Sequence, residues 1–394
     1  MVTVLRIPTN NMNVLFLTTI IPRKERMGSE VASQCFIDAL SQNKYTISIV
    51  GYMREDDVFE TNKQEIVIEK RYIETKRAKF YPAIWLLSSL LKKLPYSAAK
   101  YYSRNYIKTV KELLLSTKYD VVIIDHPQLG WLKDFLSNTD KLITLAHNVE
   151  QEIYRDSSKN ARSFISRWIY RREADLIKTM EDTLATTSRE VWTLTQHDAK
   201  YFSTIEGAGR VRVFALPPGL AKLQDKPLSK KFDIGIIGSW AWKANIEGLQ
   251  WFLQKIYPPL PASLSIHIAG RGAEWLAGKY PNVHYRGFVP DVQEFMAQAR
   301  VIAIPILSGG GIPIKTLDAI ASGSAIVATP VAMRGIDDPP QTVQVAYEPE
   351  TFAELIVSTI AAPYSQQAFD EALNWYRTRR DKFIADIGRA INEL

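Results

Sequence analysis

A chain of 394 residues, 46% hydrophobic and 23% charged, has ordinary globular composition and is too long for one core; two domains of about 150–200 residues are expected. One cysteine, Cys35, excludes an internal disulfide framework and a cysteine-rich zinc site, and five histidines leave little room for a histidine-rich metal cluster. The formal charge of +7 is mild, and alone it gives no argument for nucleic acid.

The first apolar run, Val14–Ile21, is too short to span a bilayer and is broken by two threonines, so it reads as a buried strand. Because Met12-Asn13 opens directly onto it, residues 1–11 read as preceding the natural start, which N-terminal sequencing would settle. Short β-branched runs then alternate with helical patterns, the mark of parallel α/β layering. Strands are expected at Asn13–Thr19, Thr46–Tyr52, Asp120–Asp125, Leu142–His147 and Thr183–Thr187. Helices are expected at Ser29–Ser41, Tyr101–Ser116 and Ser163–Glu181. Cys35 falls on the first of these as a small buried apolar residue. The longest apolar stretch, Phe80–Leu91, falls short of the ~20 residues a bilayer needs. A cytoplasmic chain is expected, in contact at most with the inner face of a membrane.

Residues 216–231 have linker composition, and the rhythm restarts after them. Strands are expected at Phe232–Gly238, Leu264–Gly270, Asn282–Gly287, Val301–Leu307 and Ala325–Thr329. The predicted organisation is a first domain over 1–215, a linker over 216–231, a second domain over 232–364, and C-terminal helices over 365–394 that could pack back across the linker. Two doubly wound halves predict ligands outside the carboxyl ends of the strands, in a crevice between two sheets.

The most informative segment is Pro305–Thr329, PILSGGGIPIKTLDAIASGSAIVAT. A strand ends, three glycines follow, and Pro313 stands where the first helical residue is expected. Glycines let a ligand approach the backbone, and a helix N-terminus offers amides to an anion. Lys315 in the first turn opposes the helix dipole unless an anion neutralises it. Asp318 follows at i+3, and a tight turn with a surface salt bridge is the bland reading. No Gly-Lys-Ser/Thr follows the glycines, so this is not a P-loop.

With Gly309-Gly310-Gly311, Lys315, Asp318-Ala319, Ala321, Gly323 and Ala325-Ile326-Val327, the segment resembles the donor-binding signature of family 4 retaining glycosyltransferases, of GT-B fold with two Rossmann-like domains. Phe232–Phe252 resembles the opening of that family's second domain, Val283–Asp291 its segment before a short helix, and Leu145–Glu150 (LAHNVE) a run of one branch. The resemblance implies a nucleotide-sugar donor held by Gly28, Gly238, Ser239, Gly287, Phe288, Val289, Gly309, Gly310, Gly311, Lys315 and Asp318. It implies further that His147 touches the transferred sugar, with a carbohydrate or lipid-linked acceptor and no metal or other cofactor. Departures are Gly310 for the first glutamate of an E-x7-E pair, Asp318 for the second, and Pro313 and Ser239 where arginines are usual. Lys243 could replace the lost charge.

Asp125 and His126 end a strand and could act as a base or meet the acceptor, or simply hydrogen-bond locally; Glu150 could also face the acceptor or form a surface pair. Trp240 and Trp242 could wall a sugar site or pack. No Asp-x-Asp sequence supports metal-bridged diphosphate binding. The turn after the first strand lacks G-x-G-x-x-G, which disfavours a dehydrogenase. Residues 69–118 carry 12 basic residues and three glutamates, net +9, which leaves the rest of the chain at −2. The basic residues flank Phe80–Leu91 and are interleaved with aromatics, which suits an anionic lipid surface; a solvated basic face over core helices is the alternative. No nucleic-acid module surrounds them. The expected function is glycosyl transfer, with hexose the expected sugar, in polysaccharide, glycolipid or glycoconjugate assembly. A GT-B paralogue turned binding or scaffold protein, or a nucleotide-sugar epimerase, are the rivals.

Overall fold

The computed structural model describes residues 12–23, 27–58, 60–73, 78, 80–136, 139–219, 227–363 and 365–394. Residues 1–11, most of the linker's middle and three of the basic residues of 69–118 lie outside this set. The chain forms two compact units, one of residues up to Phe214 together with Ile384–Leu394, the other Ala215–Phe383.

In the first unit seven parallel strands form one sheet: β1 (Asn13–Ile20), β2 (Thr46–Arg54), β3 (Glu65–Arg71), β4 (Val121–Asp125), β5 (Leu142–Ala146), β6 (Glu190–Thr193) and β7 (Arg210–Val213). Their order is β3-β2-β1-β4-β5-β6-β7, with Val14–Leu17 paired to Val121–Ile124. The order reverses between β1 and β4, the switch point at which doubly wound sheets bind ligands. VVIID and LITLA are buried at every residue, because helices cover both faces of a parallel sheet. Those helices include α1 (Gly28–Gln42), α2 (Tyr81–Lys92), α3 (Tyr96–Ala99), α4 (Arg104–Ser116), α5 (Glu150–Lys159), α6 (Phe164–Thr187) and α7 (Gln196–Ser203). Ser103 caps α4 and Ser163 caps α6, each accepting from an amide of its first turn.

The strand expected at Thr183–Thr187 is instead the last turns of α6. Its threonines bond back onto their own helix: Thr183 Oγ1 donates to Thr179 O at 2.6 Å and Thr187 Oγ1 to Thr183 O at 2.8 Å. That satisfies the hydroxyls without a strand, and the strand follows at β6. His147 lies one residue past β5 rather than within it. The apolar stretch at Phe80–Leu91 is α2, where only Trp85 and Ser89 are buried.

The second unit repeats the scheme with β8 (Phe232–Ile237), β9 (Ile266–Ala269), β10 (Val283–Gly287), β11 (Ala299–Ile304), β12 (Ala325–Ala328) and β13 (Val343–Val345). Their order is β10-β9-β8-β11-β12-β13, all parallel, with the reversal between β8 and β11. Helices α8 (Lys243–Trp251), α9 (Val292–Ala297) and α10 (Ile314–Ala321) lie between strands, and α11 (Pro349–Ala361) follows the last one. Helix α12 (Gln366–Asn392) contributes its first part to the second unit and its end to the first. At its end Asn43 Nδ2 donates to Ile384 O and Arg212 to Glu393; at its middle, buried Arg379 donates to Leu216 O and Gly335 O.

Candidate functional site

In the first unit, polar groups converge at the β1/β4 reversal. Asp125, the last residue of β4, is fully buried. Thr18 Oγ1 from β1 and Ser33 Oγ from α1 each lie 2.7 Å from its Oδ2, and His147 Nε2 lies 2.6 Å from its Oδ1. Burial opposes ionisation of this carboxyl, yet His126 and His147 beside it, with hydrogen bonds from His147 and Thr18, bring its pKa down to about 2. The ionised carboxylate accepts from His147 Nε2, which in the neutral ring leaves Nδ1 as an acceptor. That Nδ1 is buried and has no hydrogen-bond partner among the described residues, and the same holds for Asn148 Oδ1 beside it and for Gln128 Oε1 in the 3-10 helix that follows β4. Buried acceptors without donors are unusual and mark places where a donor-bearing ligand gains most.

His126 stacks on His147, ring centroids 4.0 Å apart. Its φ of +80° is strained for a residue with a side chain. Burial pushes its pKa down to about 4, so it is neutral at pH 7. The ligand atoms of Asp125, His126 and His147 lie within 4.8 Å of one another, close enough to hold a metal. Both carboxylate oxygens are already engaged, however, and His147 Nε2 faces one of them. The donor set is thus a hydrogen-bonded one that a metal would have to break. Glu150 opens α5 nearby, and burial raises its pKa. Gly28 is the exposed first residue of α1.

In the second unit the corresponding reversal holds Lys315. Pro313 proves to be the cap residue, with ψ 93°, and α10 starts at Ile314 with no side-chain cap. Gly309 and Gly311 have φ of +127° and +65°, which allows the turn before it. Lys315 Nζ donates to Asn245 Oδ1 at 2.7 Å, and burial lowers its pKa to about 8. A Cβ on Gly238 would lie 3.4 Å from that Nζ and 3.2 Å from the Trp240 ring, so Gly238 leaves room for both. Trp240 is core, its Nε1 donating to Ala269 O, whereas Trp242 is exposed.

Lys243 is mostly exposed and lies 3.5 Å from Glu247. Ser239 is exposed, and its carbonyl accepts from Asn245. Gln293 Nε2 donates to the carbonyl of Asp318. Gly287 has φ of +60° and its carbonyl accepts from Gly270; Phe288 is exposed with the Arg271 guanidinium 4.5 Å over its ring, and Val289 follows half-buried. Gly310 is exposed between its two glycine neighbours.

Sequence reasoning missed several residues that shape these places. Thr18 and Ser33 hold Asp125, Asn245 holds Lys315, and Arg334 donates to Gly309 O. None lies in a recognisable motif; Asn245 carried a signal only as the third residue of a helix opening toward the glycine turn.

Residues 231–362 match the family described as glycosyl transferases group 1, so the second unit carries a domain of that class. No curated protein matches the chain in sequence. In fold it is similar to sucrose-phosphate synthase from Thermosynechococcus elongatus, with a TM-score of 0.65 at 14% identity, covering 97% of this chain and 98% of that one. Anabaena HepE in complex with UDP and glucose gives 0.60 at 16% identity over 97% and 98%. T4 phage BGT in complex with its UDP-glucose substrate gives 0.51 at 12% over 97% and 99%. The fold is GT-B, two Rossmann-like α/β units.

Proposed function

We propose that the chain transfers a glycosyl group from a nucleotide-sugar to a hydroxyl of a carbohydrate or lipid-linked acceptor, with retention and without a metal. The observation that carries this reading is the coincidence of the group 1 domain with a basic, glycine-lined turn at the second unit's switch point. Departure of a nucleoside diphosphate develops negative charge on phosphate. The amides of Gly309–Gly311, the start of α10 and the Lys315 ammonium are fixed in advance to stabilise it. Arg334 and Arg271 supply cationic charge where Ser239 and Pro313 replace arginines, with Lys243 a further source. Backbone at Gly287–Val289 meets the base and Asp318 the ribose, and Gly28 at the start of α1 is a further backbone contact for the donor.

In the first unit the ionised Asp125 fixes the tautomer of the neutral His147 ring, so that Nδ1 accepts a hydrogen bond from a hydroxyl of the transferred sugar. Asn148 and Gln128 offer further acceptors to the same kind of group. Sugars are dense in O–H donors, which is what these buried atoms lack. Attack from the front face, with the leaving phosphate taking the acceptor proton, requires no side-chain nucleophile and leaves Asp125, His126 and Glu150 to orient the sugar and acceptor. A UDP-hexose is the donor to test first, since two solved structures of like fold hold UDP with glucose or UDP-glucose. The acceptor belongs to polysaccharide or glycolipid assembly at the inner face of a membrane, which the basic segment 69–118 contacts.

A thermal-shift series over nucleoside diphosphates and nucleotide-sugars tests the reading, because a ligand of the folded state raises its melting temperature. Stabilisation by one nucleotide, followed by transfer from its sugar to an acceptor, is expected; no shift with any nucleotide overturns it. Gly310 and Asp318 favour a second reading, a paralogue that binds donor without turnover. Tight nucleotide binding with no transfer would select it, and conversion of free donor without acceptor would select an epimerase.

A further inference from the structure

The first unit exposes apolar side chains that its sheet does not use. Leu87, Leu90 and Leu91 on α2, and Phe164, Ile165 and Trp168 in the first turns of α6, are 53–80% open to solvent. The two helices adjoin: Arg172 of α6 donates from Nη1 to Ser89 Oγ at 3.0 Å and from Nη2 to Ser89 O at 3.2 Å. Single exposed apolar residues are normal on a protein surface, but clusters on neighbouring helices mark contact with another apolar phase.

Charge identifies the phase. Residues 80–93 contain two lysines and no acid, and residues 159–172 contain five basic residues and no acid. Lys92, Lys93, Arg162, Arg167 and Arg171 are exposed. A second copy laid on this face would set these like charges against one another. Anionic headgroups would neutralise them while the leucines and aromatics enter the boundary with the acyl chains. Among the described residues no helix is long and apolar enough to cross a membrane. Helix α2, with 12 residues, is about 18 Å long and can only lie along such a boundary.

We propose that α2 and the N-terminal turns of α6 form one interfacial face that docks on an anionic lipid bilayer. The proposal rests on the membrane-side acceptor reading and gives it a surface. Residues 159–172, which the charge count of 69–118 did not include, supply the second half of that face.

The test is co-sedimentation of the full chain with phosphatidylcholine vesicles, with and without phosphatidylglycerol. Wild type is expected to pellet with the anionic vesicles and be released by salt. Leu87→Ser with Leu90→Ser and Ile165→Ser, or Arg162→Gln with Arg167→Gln and Arg171→Gln, should each cut partitioning at least about tenfold. Melting temperature should not change in either set, since all six side chains are exposed; should the apolar set fail to fold, the arginine set decides. Absence of pelleting, equal pelleting with neutral vesicles, or a wild-type dimer that the apolar set turns into a monomer would each overturn the proposal. Nucleotide-induced stabilisation, measured without vesicles, reports separately on the transferase reading and should be the same in wild type and both sets.

Discussion

Asp125 has no solvent contact, yet two hydroxyls and two imidazoles keep it ionised. Its value to the site is the orientation it imposes on His147, and Asp125→Asn keeps the size while removing the charge. The amide can present its NH₂ to Nε2 and favour the other tautomer, which would turn the Nδ1 acceptor into a donor. Turnover is expected to fall about 10²–10⁴-fold, with nucleoside diphosphate affinity unchanged. His147→Ala should cost a similar factor, and the double variant little more, because the pair acts as one device. Steady-state kinetics and nucleotide Kd, measured together, check this.

Lys315 allows a second prediction at the same scale. With a pKa lowered to about 8, it is partly neutral in the free protein above that pH. A bound diphosphate stabilises the charged form and raises the pKa, so binding should take up a proton, and the uptake should grow as pH rises through about 8. Calorimetric titration in buffers of different ionisation enthalpy reads the uptake directly. Lys315→Met should abolish it and weaken binding; uptake that persists in the variant would place the proton elsewhere.

Among elements, α6 shows how side chains secure neighbouring helices. Glu173 Oε2 and Oε1 accept from the amides of Tyr96 and Ser97 at the start of α3, at 2.7 and 2.8 Å. Glu181 Oε1 accepts from Glu150 N at the start of α5, at 2.7 Å. Each carboxyl meets a helix N-terminus, where donors are unsatisfied and the dipole favours negative charge. The α1–β2 pair relies on a buried ion pair, Glu30 with Arg54, whose side chains are 6% and 1% exposed. Arg54→Met removes one partner and leaves the other charge buried, so a loss of about 3–5 kcal/mol is expected in urea unfolding. Glu30→Leu combined with Arg54→Met should recover most of it. A double variant no more stable than the single would show that the arginine acts through other contacts.

At the scale of the whole molecule, apolar periodicity places nine of the thirteen parallel strands but not the register or the edges. Edge strand β3 is half-buried along nearly all its length and has too few apolar residues to stand out. Thr183–Thr187 has strand-like composition, but its hydroxyls are satisfied within a helix. The donor-side residues were legible because a glycine turn and a helix start are local in sequence. The Asp125 cluster was only half legible: its parts come from β1, α1, β4 and the β5 loop, and only the fold brings Thr18, Ser33 and His147 to one carboxylate.

The two sheets also share an acid sensitivity, which can be read from their histidines. Burial lowers His126 in the first unit and His267 in the second to about 4, against about 6.5 in the unfolded chain. Between these values the unfolded chain binds more protons than the folded one, so stability falls as pH drops from about 6.5 toward 4. Asp125 acts lower down: its folded value of about 2 lies below its unfolded 3.8, so the stability it adds is kept above 3.8 and lost as pH falls toward 2. The melting temperature should therefore hold level just above pH 6.5 and decline in two ranges below it. Both histidines stack on another ring, His126 on His147 and His267 on Phe232, the latter with centroids 4.2 Å apart. Phenylalanine can keep the stacking without titrating, so His126→Phe and His267→Phe should each shallow the decline between pH 6.5 and 4; His267→Phe should leave the lower decline in place, whereas His126→Phe removes one of the groups that lower Asp125 and should weaken it. A decline unchanged in both variants would assign the acid sensitivity to other groups.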